Sequence, residues 1–225
     1  MPSPETILSS AVAIANGWRT LAIGWHALFA TFVLAVLVGW RPSNRIAGYL
    51  FTAPLLSVSA LAWASGNPFN GATFAALALF MMGITTRLSK EPVKIASSRV
   101  LLLGWFLVAF GWTYPHFLTA DHWTAYTYAA PLGLLPCPTL SAVIGLTLVL
   151  GVLHSKLWSM TLAAAGFAYG AIGVFTLGVT LDYGLLAGAT MLGAVVGVSR
   201  TWRAERREES SLDRVDRRAA VRKDA

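Results

Sequence analysis

Seven apolar runs, each near the length of a membrane crossing, divide this chain and leave few ways to fold it. They extend from Thr20 to Trp40, Ile46 to Ala64, Gly71 to Thr86, about Val100 to Phe117, Pro138 to about Trp158, Met160 to about Val179, and Leu185 to Ser199. A helix needs roughly 20 apolar residues to cross the hydrocarbon of a bilayer. The third run is shorter, and the stem of Arg87 can snorkel to complete it. With 56% of residues hydrophobic, 12% charged and a mean hydropathy of +0.63, a soluble domain is excluded. The expected fold is all-α: a polytopic transmembrane bundle of about seven spans.

The breaks between runs carry the matching signals. Ser3-Pro4-Glu5 reads as a helix start, with a serine cap, proline in the first turn and an acid near the dipole. The segment it opens, residues 4–16, is interrupted by Asn16-Gly17 and predicts a short interfacial helix. Arg41-Pro42-Ser43-Asn44-Arg45 stops the first span, and Pro54 lies inside the second. Asn70 is expected to cap the third helix and Asp182 the last. Residues 118–137 form the longest loop; they contain no Lys or Arg, and Trp123, Tyr126 and Tyr128 suit a segment that lies on the membrane surface or dips into it. Trp18, Trp40, Trp63, Trp112 and Trp158 fall near run ends, where indoles settle at headgroup level. The organisation is therefore residues 1–19 as an N-terminal interfacial helix, 20–199 as the bundle and 200–225 as a charged cytoplasmic tail. Ser210-Ser211-Leu212-Asp213 marks a possible helix start in that tail. No cleavable signal is read at the N-terminus, which lacks a positive region before its apolar residues.

Charge gives an orientation independent of the span count. One set of alternate loops holds Arg41 and Arg45, then Arg87, Lys90, Lys94 and Arg99, then Lys156, then the tail. The opposite set holds only Arg19. Lys and Arg gather in short cytoplasmic loops, so the N-terminus is expected outside and the C-terminus in the cytoplasm. The net charge of +7 is thus a topological signal rather than a nucleic-acid footprint.

The chemistry-bearing residues collect at the arginine-poor face. Ala130-Pro131-Leu132-Gly133-Leu134-Leu135-Pro136-Cys137-Pro138-Thr139 contains three prolines and the only cysteine. Such a stretch cannot continue a helix, and Pro138 suits a helix start. Cys137 is thereby placed at or beside a helix N-terminus, where the dipole favours a thiolate; packing in a stiff turn is the alternative. A single cysteine excludes an internal disulfide and a CxxC pair. His116, Asp121, His122 and Asp182 fall on the same face, and His26 lies inside the first span, where an ionisable group marks a pathway or a buried partner. Imidazole and thiolate together from Cys137, His116 and His122 would suit a zinc or copper ion, although no spacing motif supports one. His154 is expected to cap the inner end of the fifth span. Gly166, Gly170 and Gly173 on the sixth helix and Gly184, Gly188, Gly193 and Gly197 on the seventh recur at small-xxx-small spacing, which serves close packing or a self-association face.

Tyr114-Pro115, Gly133-Leu134-Leu135-Pro136-Cys137-Pro138-Thr139 and Asp182-Tyr183-Gly184-Leu185-Leu186, with Asn67-Pro68 as a further match, resemble a family of bacterial inner-membrane proteins to which no activity is assigned. The likeness covers most of residues 46–199. It implies the multi-pass fold and a bacterial inner-membrane location, and it draws attention to Cys137 and Asp182. It does not extend to His26 or the tail.

Two functions follow. The first is transport or binding of a small solute or metal ion, with His26, His116, His122, Cys137 and Asp182 along an outer entrance. The second is a non-catalytic membrane partner or assembly subunit, joined through helices 6 and 7 to a copy of itself or to another membrane protein. An enzyme is disfavoured, because neither a carboxylate pair nor a nucleophile with its base is legible.

Overall fold

The computed structural model describes residues 3–197. The charged tail, the helix start at Ser210–Asp213 and the last two residues of the seventh run lie outside the described residues. Within them the chain is helical and has no strand, only an isolated antiparallel bridge between Ser43 and Pro92. The helices are α1 (Pro4–Gly17), α2 (Arg19–Leu37), α3 (Asn44–Ala64), α4 (Pro68–Thr86), α5 (Ser98–Thr113), the single turn α6 (Tyr126–Ala129), α7 (Pro136–Val149), α8 (Lys156–Ala171) and α9 (residues 183–197). Five segments are long and apolar enough to cross a membrane: Arg19–Leu37, Asn44–Ala64, Pro68–Thr86, Lys156–Thr176 and Thr180–Gly197. Helices α5 and α7 are apolar but shorter.

Local chemistry sets most of the helix ends. Ser3 Oγ accepts the Thr6 N–H at 3.3 Å, with Pro4 in the first turn. Backbone N–H groups there, then the Ser3 hydroxyl, hold the Glu5 carboxyl below its usual range. Ser43 caps α3 through the Ile46 N–H. The cap of α4 is Asn67, whose Oδ1 accepts the Asn70 N–H at 3.1 Å. Asn70 is thus the recipient of the cap and not its source, because Pro68 begins the helix three residues earlier than the apolar run does.

The loops gather at two ends of the bundle. At one end Val93 donates to the Pro42 carbonyl, Asn44 to that of Glu91 and Ala96 to that of Val149. At the other, Asn16 Nδ2 donates to the Phe117 carbonyl at 3.0 Å, the Thr119 N–H returns a bond to Asn16 Oδ1, and Arg19 donates to the Thr119 carbonyl. Helix α1 is tied down in this way across about a hundred residues of sequence.

The centre is α7, in which every residue from Pro138 to Val149 is buried. It packs most closely on α5 through three glycines that the small-residue pattern of the last two helices does not include. A Cβ on Gly111 would come within 2.5 Å of the Pro138 carbonyl oxygen, and one on Gly145 within 2.6 Å of the Val108 nitrogen; Gly104 faces Gly145 in the same way. The glycines of α8 and α9 mostly serve the chain itself. Gly166 meets Ile144 and Ala189, Gly170 the backbone of Leu186, Gly184 Phe110 and Gly188 Leu107.

The segment before α7 has two parts. Residues 118–128 are largely exposed, but 129–135 are buried inside the bundle rather than spread on a surface. Buried irregular backbone has to satisfy its own polar groups. Here Leu132 donates to Ala130, Leu134 and Leu135 to Pro131, and the Gly133 N–H to Thr139 Oγ1.

The other end of α7 differs more. The helix stops at Val149, well before Trp158, and residues Gly151 to His154 make a left-handed turn with φ of 59°, 56°, 49° and 50°. Apolar periodicity carries no information about handedness, so Gly151-Val152-Leu153 reads as continuing helix. His154 accordingly caps no right-handed helix. Trp158 belongs to α8 and is fully buried, its Nε1 donating to Thr147 Oγ1 at 3.2 Å, so it is not an interfacial indole. Trp18, Trp40 and Trp63 are about half exposed, as expected of such positions. A left-handed non-glycine residue costs about 1–2 kcal/mol. The side chain of His154 is exposed, so His154→Gly is expected to stabilise the protein by roughly 0.5–1 kcal/mol, read by unfolding in detergent.

Candidate functional site

Asp182 is the organising residue of the loop-rich end that carries α1. Helix α8 does not stop cleanly but widens into a π turn over Ile172–Thr176, a geometry often found at functional sites. The chain then reverses through Gly178 (φ 69°), Val179 donates back to the Gly173 carbonyl at 2.8 Å, and a 3-10 turn, Thr180–Asp182, leads into α9. This fold-back lays the Asp182 side chain directly on Gly173. A Cβ at Gly173 would stand 1.8 Å from Oδ2, so glycine is required by space.

Two donors reach the carboxyl group from other helices. Tyr114 is the residue at the end of α5, held out of helical geometry (φ −46°, ψ 105°) by the proline that follows it. Its hydroxyl donates to Asp182 Oδ1 at 2.7 Å. Cys137, in the first turn of α7, donates its S–H to Oδ2 at 3.2 Å. Asp182 and Tyr114 are buried, at 1% and 0% exposure. Two expectations change here. Asp182 spends both oxygens on Tyr114 and Cys137 and not on the backbone of α9. Cys137 is a hydrogen-bond donor and hence a thiol, because a thiolate beside the carboxylate would place two anions in contact.

The remaining candidates separate. His116 sits exposed on the loop after α5, its ring 4.3 Å from that of Phe117, and it acts on Asp182 only through space. Asp121 and His122 are exposed further along that loop. His26 is buried between α2 and α5, with Nδ1 2.8 Å from the Ala22 carbonyl and Nε2 3.0 Å from that of Trp112. It is a strut between those helices and does not border the cavity described next. Among the described residues no three His, Cys, Asp or Glu side chains form a metal-holding group. The zinc or copper set of Cys137, His116 and His122 therefore does not assemble: the thiol turns inward to Asp182 while both imidazoles stay exposed on the loop after α5.

Beneath Pro136-Cys137-Pro138 lies a cavity of about 60 Å³. A single water needs only about 10–15 Å³ measured in this way. Helix α1 forms one wall with Ile7, Leu8, Ala11 and Ile14, and Phe69, Phe117 and Tyr169 supply aromatic surface. Polar groups are few: Asp182 and Cys137, Asn67, Asn70, which accepts the Tyr169 hydroxyl at 3.2 Å, and Ser10. Ser10 Oγ is shielded from solvent and has no hydrogen-bond partner among the described residues. An apolar chamber with a few convergent polar groups is the usual form of a small-molecule site.

The chain matches no protein-family model, no curated protein and no solved structure.

Three participants escaped the sequence reading. Tyr114 was legible only as half of a Tyr-Pro pair, Gly173 read as helix packing, and Asn16 read as a helix interruption. Asn16 holds α1, and so the cavity wall, through its bonds to Phe117 and Thr119. Asn16→Ala removes both, at about 1–3 kcal/mol of docking energy. Alkylation of Cys137 by N-ethylmaleimide is expected to accelerate about tenfold, since about 1.4 kcal/mol is a factor of ten. The exposed Ser9→Ala is expected to leave the rate unchanged.

Proposed function

We propose that this chain is a seven-span protein of the bacterial inner membrane, with its N-terminus outside and its C-terminus in the cytoplasm, that binds a small solute at its outer end as a step in moving it. The orientation is supported by charge: the described Lys and Arg residues other than Arg19 lie at the end away from α1. A reporter fused after Ala225 should then be active only in the cytoplasm. The observation that carries the function is the cavity under α1, because it joins apolar walls to a buried carboxyl group that three separate helical segments position. The family resemblance noted in the sequence is consistent with such a protein but assigns no solute.

The test uses purified full-length protein in liposomes. 1-Propanol and n-propylammonium, which suit the size of the chamber, are each titrated against the alkylation of Cys137. Saturable protection by at least one of them is expected. Absence of protection by both overturns the reading.

A second reading, an assembly subunit, is favoured by the largely apolar interior around α7, where Leu140, Val143, Ile144 and Leu148 are fully buried. Gly197 of α9 also looks onto open space. The particle mass in detergent measures it: a defined oligomer is expected on this reading and a monomer on the first.

A further inference from the structure

We infer that the solute taken by the α1-covered cavity is a small cation with an apolar body, a primary alkylammonium, seated on Asp182. The inference rests on the binding reading above and adds the chemical class of the ligand. Both contacts to Asp182 are donated toward its oxygens, by the Tyr114 hydroxyl at 2.7 Å and the Cys137 thiol at 3.2 Å. Both donors are neutral, so the carboxyl group has hydrogen-bond partners but no cationic one. A buried charge is costly unless it is paired. No Lys or Arg borders the cavity, and His116 faces the group only from the exposed loop.

The rest of the chamber completes the complement. A carboxylate has about four lone-pair sites, of which two are used here. The others, with the unpartnered Ser10 Oγ across the same cavity, offer acceptors for the three N–H groups of an ammonium ion. Phe69, Phe117 and Tyr169 add aromatic faces, which attract cations and bury alkyl carbon equally well. An anion would meet Asp182 directly and find no cationic side chain. A neutral alcohol would gain the apolar walls but bring Asp182 no counter-charge.

The experiment compares n-propylammonium, 1-propanol and propionate by the shift each produces in the thermal unfolding of the full-length protein in detergent, monitored by tryptophan fluorescence. Propylammonium is expected to bind at least tenfold more tightly than 1-propanol, and propionate not at all. Asp182→Asn is expected to abolish the advantage of the cation, so that propylammonium binds no more tightly than 1-propanol. If both propyl compounds bind wild type equally, the cation class is overturned and the solute-binding reading survives. If neither binds, both fall. Should Asp182→Asn not fold, the wild-type comparison of cation with alcohol still decides, since it needs no variant.

Discussion

Gly173→Ala is expected to be among the most damaging single-atom additions this chain can receive. The new methyl carbon would lie 1.8 Å from Asp182 Oδ2 and 2.6 Å from its Cγ, so the carboxyl group has to leave its seat. Its departure strands the Tyr114 hydroxyl and the Cys137 thiol without their acceptor. Leaving a buried donor without its acceptor costs about 1–3 kcal/mol, and two are stranded here. Unfolding in detergent should register a loss of that order, together with faster alkylation of Cys137. The double variant Gly173→Ala/Asp182→Gly supplies the internal control. Because even the Cβ of residue 182 would stand 2.8 Å from the new methyl carbon, only glycine at 182 clears it, and the double variant should be little worse than Asp182→Gly alone, a clear departure from additivity. A fully stable Gly173→Ala, with Cys137 as slow to react as in wild type, would show that the carboxyl group is not held where this account requires.

The second large effect is expected at the contact of α5 with α7. Gly111→Ala brings a methyl group to 2.5 Å from the Pro138 carbonyl oxygen and 2.6 Å from the Ala142 nitrogen. Both are backbone atoms of a helix buried on all sides, so no side chain can swing away and the helices must part. Overpacking of this kind costs about 1–3 kcal/mol and more where the backbone is the obstacle. About 3 kcal/mol is the expected loss. Gly83→Ala is the comparison, since a Cβ there meets nothing within 4 Å and the position is helical and exposed. Alanine at 83 is expected to be neutral or stabilising by roughly 0.5–1 kcal/mol, the ordinary advantage of alanine over glycine in a helix. If the two substitutions behave alike, close backbone approach does not hold this pair together.

The contrast between those glycines shows what a sequence can and cannot transmit. Lipid-length apolar runs punctuated by charge located α2 and α3 to within a few residues, and serine and proline at the start of α1 announced its cap. Those are local signals, and local structure followed them. Gly104, Gly111 and Gly145 matter because of what lies opposite, which spacing along one helix does not encode. Cys137 and Asp182 were singled out separately, as a reactive thiol and a helix cap. Their contact depends on a π turn and a reversal at Gly178 that leave no trace in apolar periodicity. The metal set failed for a related reason: sharing one end of a bundle does not make side chains converge. The turn at Gly151–His154 and the burial of Trp158 were hidden in the same way, because an apolar stretch reads alike whether the backbone winds right or left and whether an indole meets lipid or protein.

Helix α7 has 14 residues against the 21 of α3. At about 1.5 Å per residue it is roughly 21 Å long, short of the hydrocarbon thickness of about 30 Å. In a bilayer that shortfall would ordinarily be met by tilting or by local thinning of the lipid. An enclosed helix has no acyl chains to match, so thicker or thinner membranes press on its neighbours alone. The thiol, phenol and carboxyl group at its end are thereby buffered from lipid composition, and their spacing depends on how the surrounding helices grip one another.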